Sequence, residues 1–297
     1  MKPLASTLGW WLAGALVVFG ALSVVFHFQP QQTLAERFAT QEEKLALTGQ
    51  LRAAIASAAE AEKSAVLANS DEDSMLFAKQ AKAATALAEE RRRALVSLLA
   101  ASGTTREQEL SAELTKAFAE FRRVDDELLE LAVRNSNVKA SALAYGPAAD
   151  AIAQLDGALA EIIDSAANQN VAVTAARAEA AALRMQALLP KHIAEESEPK
   201  MDALEARMSS EWQAVRVGMA ALASLLPSGN SSLATAQASY AVMTGLKAQI
   251  ILLSRENTNV RSLSLSLNQK RKVTLVCEDA LVGLERAIAE QQAATKR

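Results

Sequence analysis

What this sequence has least of is the raw material of cofactor and disulfide chemistry. Cys277 is the one cysteine, which excludes an internal disulfide, and 2 histidines without cysteine partners argue against a histidine- or thiolate-based metal site and c-type haem attachment. Carboxylate-only metal sites stay open, but no cofactor is expected. There is no nucleophile–base–orienter set, no phosphate-binding glycine loop and no HExxH pair, so an enzyme is not expected either. Aromatic residues make up 4% of the 297 residues, with 11 Gly and 6 Pro, while hydrophobic residues reach 51%. The apolar content is therefore mostly Ala and Leu. That mixture suits long, closely packed helices and not a sheet, which wants Val, Ile, Tyr and Thr. An all-α protein follows. A net charge of −3 offers no basic footprint, so nucleic acid is not an expected partner.

One long hydrophobic run is present, at the start. Leu8 to Phe28 is interrupted only by Ser23 and His27, and it is long enough to cross the roughly 30 Å hydrocarbon core as a helix. Trp10 and Trp11 stand near one end, where interfacial anchors sit. A cleavable signal peptide has a shorter apolar region, about 7–15 residues, and ends in small residues. This run ends in Phe28-Gln29-Pro30 instead. Residues 1–33 read as an uncleaved single-pass anchor. Lys2 favours a cytoplasmic N-terminus, which places the bulk of the chain outside the cytoplasm, in the periplasm of a Gram-negative cell. No second run approaches spanning length, so the C-terminus is expected on that side too.

From Thr33 onward the chain reads as helix with very short breaks, and it reads twice. Asn135, Asn137 and Val138 answer to Asn257, Asn259 and Val260 at an offset of 122, which persists to Leu159 and Leu281. Gly103 answers to Gly229 at an offset of 126, so about one helical turn is missing from the third helix of the second copy. Breaks are expected at Asn69–Asp71, Ala101–Thr104 and Ser228–Asn230, with Ser70 or Asp71 as an N-cap. Gly146-Pro147 reads as a left-handed helix end followed by a new start, and Asn268 takes Gly146's place in the second copy. No stop follows until Leu189-Pro190, so the fourth helix is expected to run on as a connector on the order of 60 Å long. The resulting modules are residues 34–168 and 169–297.

Apolar residues from Leu110 through Leu131 recur alternately every four and three positions, and the series continues through Asn135, Val138, Ala142 and Tyr145. The second copy does likewise through Asn257, Val260, Ser264 and Leu267. This coiled-coil-like seam implies one continuous helix with Asn135 and Asn257 pointing inward. A buried Asn needs partners or costs roughly 1–3 kcal/mol. It serves either as a polar layer fixing register, or as part of a small-ligand pocket. In the latter case Arg134 and Lys139, with Arg255 and Arg261 in the second copy, would receive carboxylates.

An Ala-rich bundle after an N-terminal membrane helix, carrying AEKSAVLANSDEDSMLFAKQA and RVDDELLELAVRNSNVKASALAYGPA, resembles the four-helix-bundle sensor domain of methyl-accepting chemotaxis proteins. The likeness covers residues about 34–168 and, more faintly, the rest. It implies a signal-transducing, extracytoplasmic, homodimeric receptor domain for a small organic solute. The chain has no second membrane helix, HAMP-like relay or methylatable signalling hairpin. A truncated receptor and an envelope scaffold without ligand are the alternative readings. Arg91-Arg92-Arg93 reads as a solvated face, and Glu195, Glu196, Glu198 and His192 read as exposed loop residues between Pro190 and Pro199. Cys277, aligned with Leu155, reads as a core residue.

Overall fold

The computed structural model describes residues 33–295, and these are helical throughout apart from short turns, with no strand among them. The expected anchor with Trp10 and Trp11 lies outside the described residues. No helix among the described residues is long and apolar enough to cross a membrane.

The helices are α1 (Leu34–Leu67), α2 (Asp71–Ser102), α3 (Thr105–Ala132), α4 (Ser136–Tyr145), α5 (Pro147–Asp164) and α6 (Gln169–Gln186). There follow the short α7 (Leu189–Ile193), α8 (Glu198–Leu225), α9 (Ser231–Glu256), α10 (Thr258–Leu265), a π-helical turn (Ser266–Lys270) and α11 (Arg271–Thr295). Their starts are specified locally. Thr33 with Glu36, and Thr104 with Glu107, form reciprocal capping boxes, while Ser70, Asn168 and Asn230 accept from the amides of Asp73, Val171 and Leu233. Gly229 takes a φ of +80° that a side chain would resist. The expected breaks at Ser70, Gly103 and Gly229 are all present. The shorter third helix of the second copy is there too, since Asn257 follows its helix cap, Asn230, by four residues fewer than Asn135 follows Thr104.

Three expectations about helix ends and continuity fail. The fourth helix is no long connector, because it stops at Asp164 and Asn168 caps a new helix that packs back against it. Gly146 is not left-handed, with a φ of −102°; glycine is needed there because a Cβ would lie 2.9 Å from the Ala142 carbonyl oxygen. The left-handed residues are Asn135 and Asn257, at φ 50° and 52°. They end α3 and α9, so the seam does not pass through a continuous helix. It holds from Leu110 to Leu131, all buried, and then rotates: the buried face of the next segment is Ser136, Asn137, Ala140, Ala144 and Ala148, while Tyr145 is 69% exposed. In the second copy Leu267 is 60% exposed and the buried face is Thr258, Ser262, Ser266 and Lys270.

Packing joins the copies. One bundle is built from α1, α2 and α3 with α11, and the other from α6, α8 and α9 with α5. Each copy thus gives its last helix to the other's bundle, and α4 and α10 carry the chain across. The bundles do not coincide with residues 34–168 and 169–297, although the boundary between those spans falls at the α5–α6 turn. Helix α11 docks on the first bundle through Leu281, Leu284 and Cys277 among Leu51, Leu114, Phe118 and Phe121. At the rim Arg52 reaches Glu278 at 2.9 Å and Glu285 at 2.8 Å, and Gln41 donates to Gln291 at 2.7 Å. Burial drives the thiol of Cys277 up to about 12, consistent with a core residue. Leu155 and Leu159 of α5 fill the equivalent place among Met208, Val215 and Ile250.

This exchange is testable by where damage appears. Leu281→Ala, in the second copy, should cost about 2–5 kcal/mol. Hydrogen exchange should accelerate in α1 and α3, not in α8 and α9; faster exchange confined to α8 and α9 would contradict the exchange of helices.

Candidate functional site

The crossing point is built by the asparagine stretches themselves. Helices α4 and α10 begin face to face, N-terminus against N-terminus, an arrangement that brings two positive dipole ends and several orphan amides together. Neither helix is capped by its own Asn. Each is capped by the other. The Ser136 amide donates to Thr258 Oγ1 at 3.1 Å and the Thr258 amide to Ser136 Oγ at 3.0 Å; Asn137 and Asn259 exchange amide-to-Oδ1 bonds of 3.1 Å both ways. Asn137 Nδ2 donates to Asn257 Oδ1 at 2.8 Å and Asn259 Nδ2 to Asn135 Oδ1 at 2.9 Å. The remaining donors reach backward into each bundle: Asn135 Nδ2 to the Ser70 carbonyl and Asp71, Asn257 Nδ2 to the Glu195 carbonyl. The pattern has approximate two-fold symmetry.

Of the sequence-predicted site residues, Asn135 and Asn257 meet at this node with all these partners drawn from the protein. The cations stand around it, singly. Arg134 pairs with Glu130, Lys139 bridges Asp71 and the Arg134 carbonyl, and Arg261 is exposed. Arg255 is held by Glu198, Asp202 and Glu205. Arg92 of the basic run is tied to Glu89, whose carboxyl the Arg92 hydrogen bond lowers to about 2 despite some burial. Glu198 is thus an ion-pair partner, and His192 is not exposed as expected: it is wholly buried, Nδ1 at 2.8 Å from Ser254 Oγ and Nε2 at 2.9 Å from Glu205 Oε1. Short α7 turns it inward, beneath Arg255. Burial raises the Glu205 carboxyl, but the bonds from Arg255 and His192 outweigh it and leave it lowered.

The concave site lies next to the node and involves none of those six residues. A cavity of about 590 Å³ opens between the end of α1 and the α10–π-turn–α11 segment, walled by Leu67, Leu263, Leu267 and Leu275. All four walls are exposed to some degree. The volume lies within the range of small-molecule pockets, roughly 300–1,000 Å³. Its floor is polar. Glu62 is wholly buried and neither carboxylate oxygen makes a hydrogen bond of ordinary geometry. Lys270 beside it is committed to Asp125, which also accepts from Thr85 at 3.0 Å, and its Nζ sits 3.3 Å from the centre of the Phe121 ring. Burial pushes the Glu62 carboxyl up, against the lowering pull of Ser266 and Lys270, and pushes the Lys270 ammonium down, against Asp125.

The related place in the other bundle has no such floor. By the repeat offsets Glu62, Ser266 and Lys270 correspond to Leu188, Ala144 and Ala148, all members of the apolar core. The fold does not require polar groups there. The π-helical turn, a geometry common at functional sites, stands where the first copy has Gly146. Sequence reasoning passed over Glu62 and Lys270 because each reads as one more surface charge on a long helix; the signal available was the mismatch with Leu188 and Ala148.

Among the described residues no group of three or more His, Cys, Asp or Glu is placed to hold a metal. No protein-family model matches the chain, and no curated protein matches it.

Two outcomes test this geometry. Asn135→Leu should destabilise, by about 1–2 kcal/mol for left-handed backbone plus about 1–3 kcal/mol for orphaned partners; Asn135→Gly should recover only the backbone part in chemical denaturation. Glu62, with its folded pKa raised, favours the fold below its unfolded value and loses that contribution as pH rises through the folded value. Glu62→Gln should therefore raise the melting temperature at pH 7, and the gain should shrink towards pH 4.5. A gain independent of pH would show that Glu62 ionisation is not what the burial opposes.

Proposed function

We propose that this chain is the sensory module of a membrane-anchored, extracytoplasmic protein of the chemoreceptor ligand-binding type, and that it binds a small solute in the groove between α1 and α10–α11. The observation that carries the reading is the polar floor of an otherwise apolar, open cavity, present in one bundle and replaced by Leu and Ala in the other. A buried carboxyl without a charged partner of its own, in a cavity and with a displaced pKa, favours a binding site over a packing residue.

Signalling on this reading would run through the node. Its outer wall is the segment that leaves the node through Thr258 and Asn259, so a solute that draws Leu263 and Leu267 towards α1 pulls on the bonds that cap α4. The first wall of the second bundle then moves with it, because α4 continues into α5. An effect of this kind needs only a solute that favours one of two packed arrangements over the other. The dimer implied by the family resemblance would add a second such path between subunits.

The full-length protein, purified in detergent, should be stabilised by at least one compound in a panel of organic acids, amino acids, aromatics and alkyl compounds. Saturation at a hundred times Kd corresponds to about 2.7 kcal/mol. The same compound should alter hydrogen-exchange protection at Ser136–Val138 and Thr258–Val260. Stabilisation by no compound would return the chain to the rival reading, a scaffold of the cell envelope without a small ligand.

A further inference from the structure

Two carboxylates, Glu62 and Asp125, share one ammonium, Lys270, and Lys270 is already taken by Asp125 and the face of Phe121. What Glu62 lacks is a donor carrying positive charge. Ser266 offers a hydroxyl, and Lys63 on the same helix turns out to water. Without such a donor an ionised Glu62 carboxylate lies wholly buried beneath four leucines with no cation of its own, the arrangement burial penalises most. A ligand whose cation enters among those leucines removes the penalty and gains a charge-assisted hydrogen bond in low dielectric.

We infer that the groove binds an apolar primary amine, its ammonium donating to the Glu62 carboxylate and its hydrocarbon body lying along Leu67, Leu263, Leu267 and Leu275. The inference rests on the proposed reading of this cavity as a ligand site and assigns that site its chemistry. Lys63 and Arg271 at the rim are exposed, so their repulsion of an ammonium acts through water, where two unit charges about 4 Å apart interact by only about 1 kcal/mol. An anionic amphiphile would reverse the geometry, with its head at these two side chains and no use for Glu62. The apolar counterpart in the other bundle, with Leu188, Ala144 and Ala148 in the corresponding places, has nothing to hold a cation and serves as the internal comparison.

The test uses full-length protein and three probes of matched size: hexylamine, hexanol and hexanoate, titrated at pH 7 by calorimetry and thermal shift. Hexylamine should bind at least tenfold more tightly than hexanol or hexanoate. Glu62→Gln, its folding checked by circular dichroism, should reduce hexylamine to the level of hexanol and leave hexanol unchanged. Leu267→Ser, at an exposed wall position where folding is not at risk, should weaken hexylamine and hexanol alike. Hexanol or hexanoate binding as tightly as hexylamine, or an undiminished affinity in Glu62→Gln, would overturn the assignment of an amine while leaving a small-solute site in place. Binding by none of the three, in a chain that other compounds of the wider panel do stabilise, would remove the groove as their site; stabilisation by nothing at all would remove the sensory reading with it.

Discussion

Everything in this structure hangs on two helix N-termini that face each other. Left alone, α4 and α10 would oppose like ends of two helix dipoles and strand the first amides of both. The side chains of Ser136, Asn137, Thr258 and Asn259 resolve this by capping across the axis, each copy serving the other. Because the caps are supplied in trans, neither copy completes this junction alone. The left-handed turns at Asn135 and Asn257 are part of the same constraint, since they bring the chain to the crossing at the angle that makes the exchange possible. Asparagine suits both demands, tolerating positive φ and carrying a donor and an acceptor.

Once the arms cross, each bundle must be completed by the last helix of the other copy. The hydrophobic cores then join sequences more than 200 residues apart, as where Leu51 and Leu284 share one cluster. A displacement at the junction is therefore a displacement in both bundles. That is the mechanical property a sensor uses, and a scaffold gains rigidity from the same arrangement.

The two halves share a plan, and function is best sought where they disagree. On one side the crossing arm buries Ala140, Ala144 and Ala148; on the other it buries Ser262, Ser266 and Lys270. A stripe of alanines lets helices approach closely and asks for nothing more. A serine–lysine stripe must find partners, and in doing so it gathers Asp125, Thr85 and Glu62 into the interior next to an open groove. Buried ion pairs of this kind rarely improve stability over apolar packing, and the other bundle supplies that packing in the same place.

Much of this was legible in the residues, and the reason is that it is local. Composition determined an all-helical chain, the offsets of 122 and 126 exposed two copies, and Ser70, Gly103 and Gly229 marked turns because caps and glycine conformations are decided within a few residues. Cys277 read correctly as core from its alignment with Leu155. The seam through Asn135 misled because periodicity reports a helical face but not a left-handed residue that rotates it by a fraction of a turn, and His192 misled because its partners Ser254 and Glu205 come from two other helices. Which helix completes which bundle, that Asn135 ends a helix rather than lining one, and that Glu62 lies at the floor of a groove were decided only by tertiary structure. All three depend on contacts between residues far apart in sequence, where hydrogen bonds across a near-symmetry axis outweigh the local preference to continue a helix.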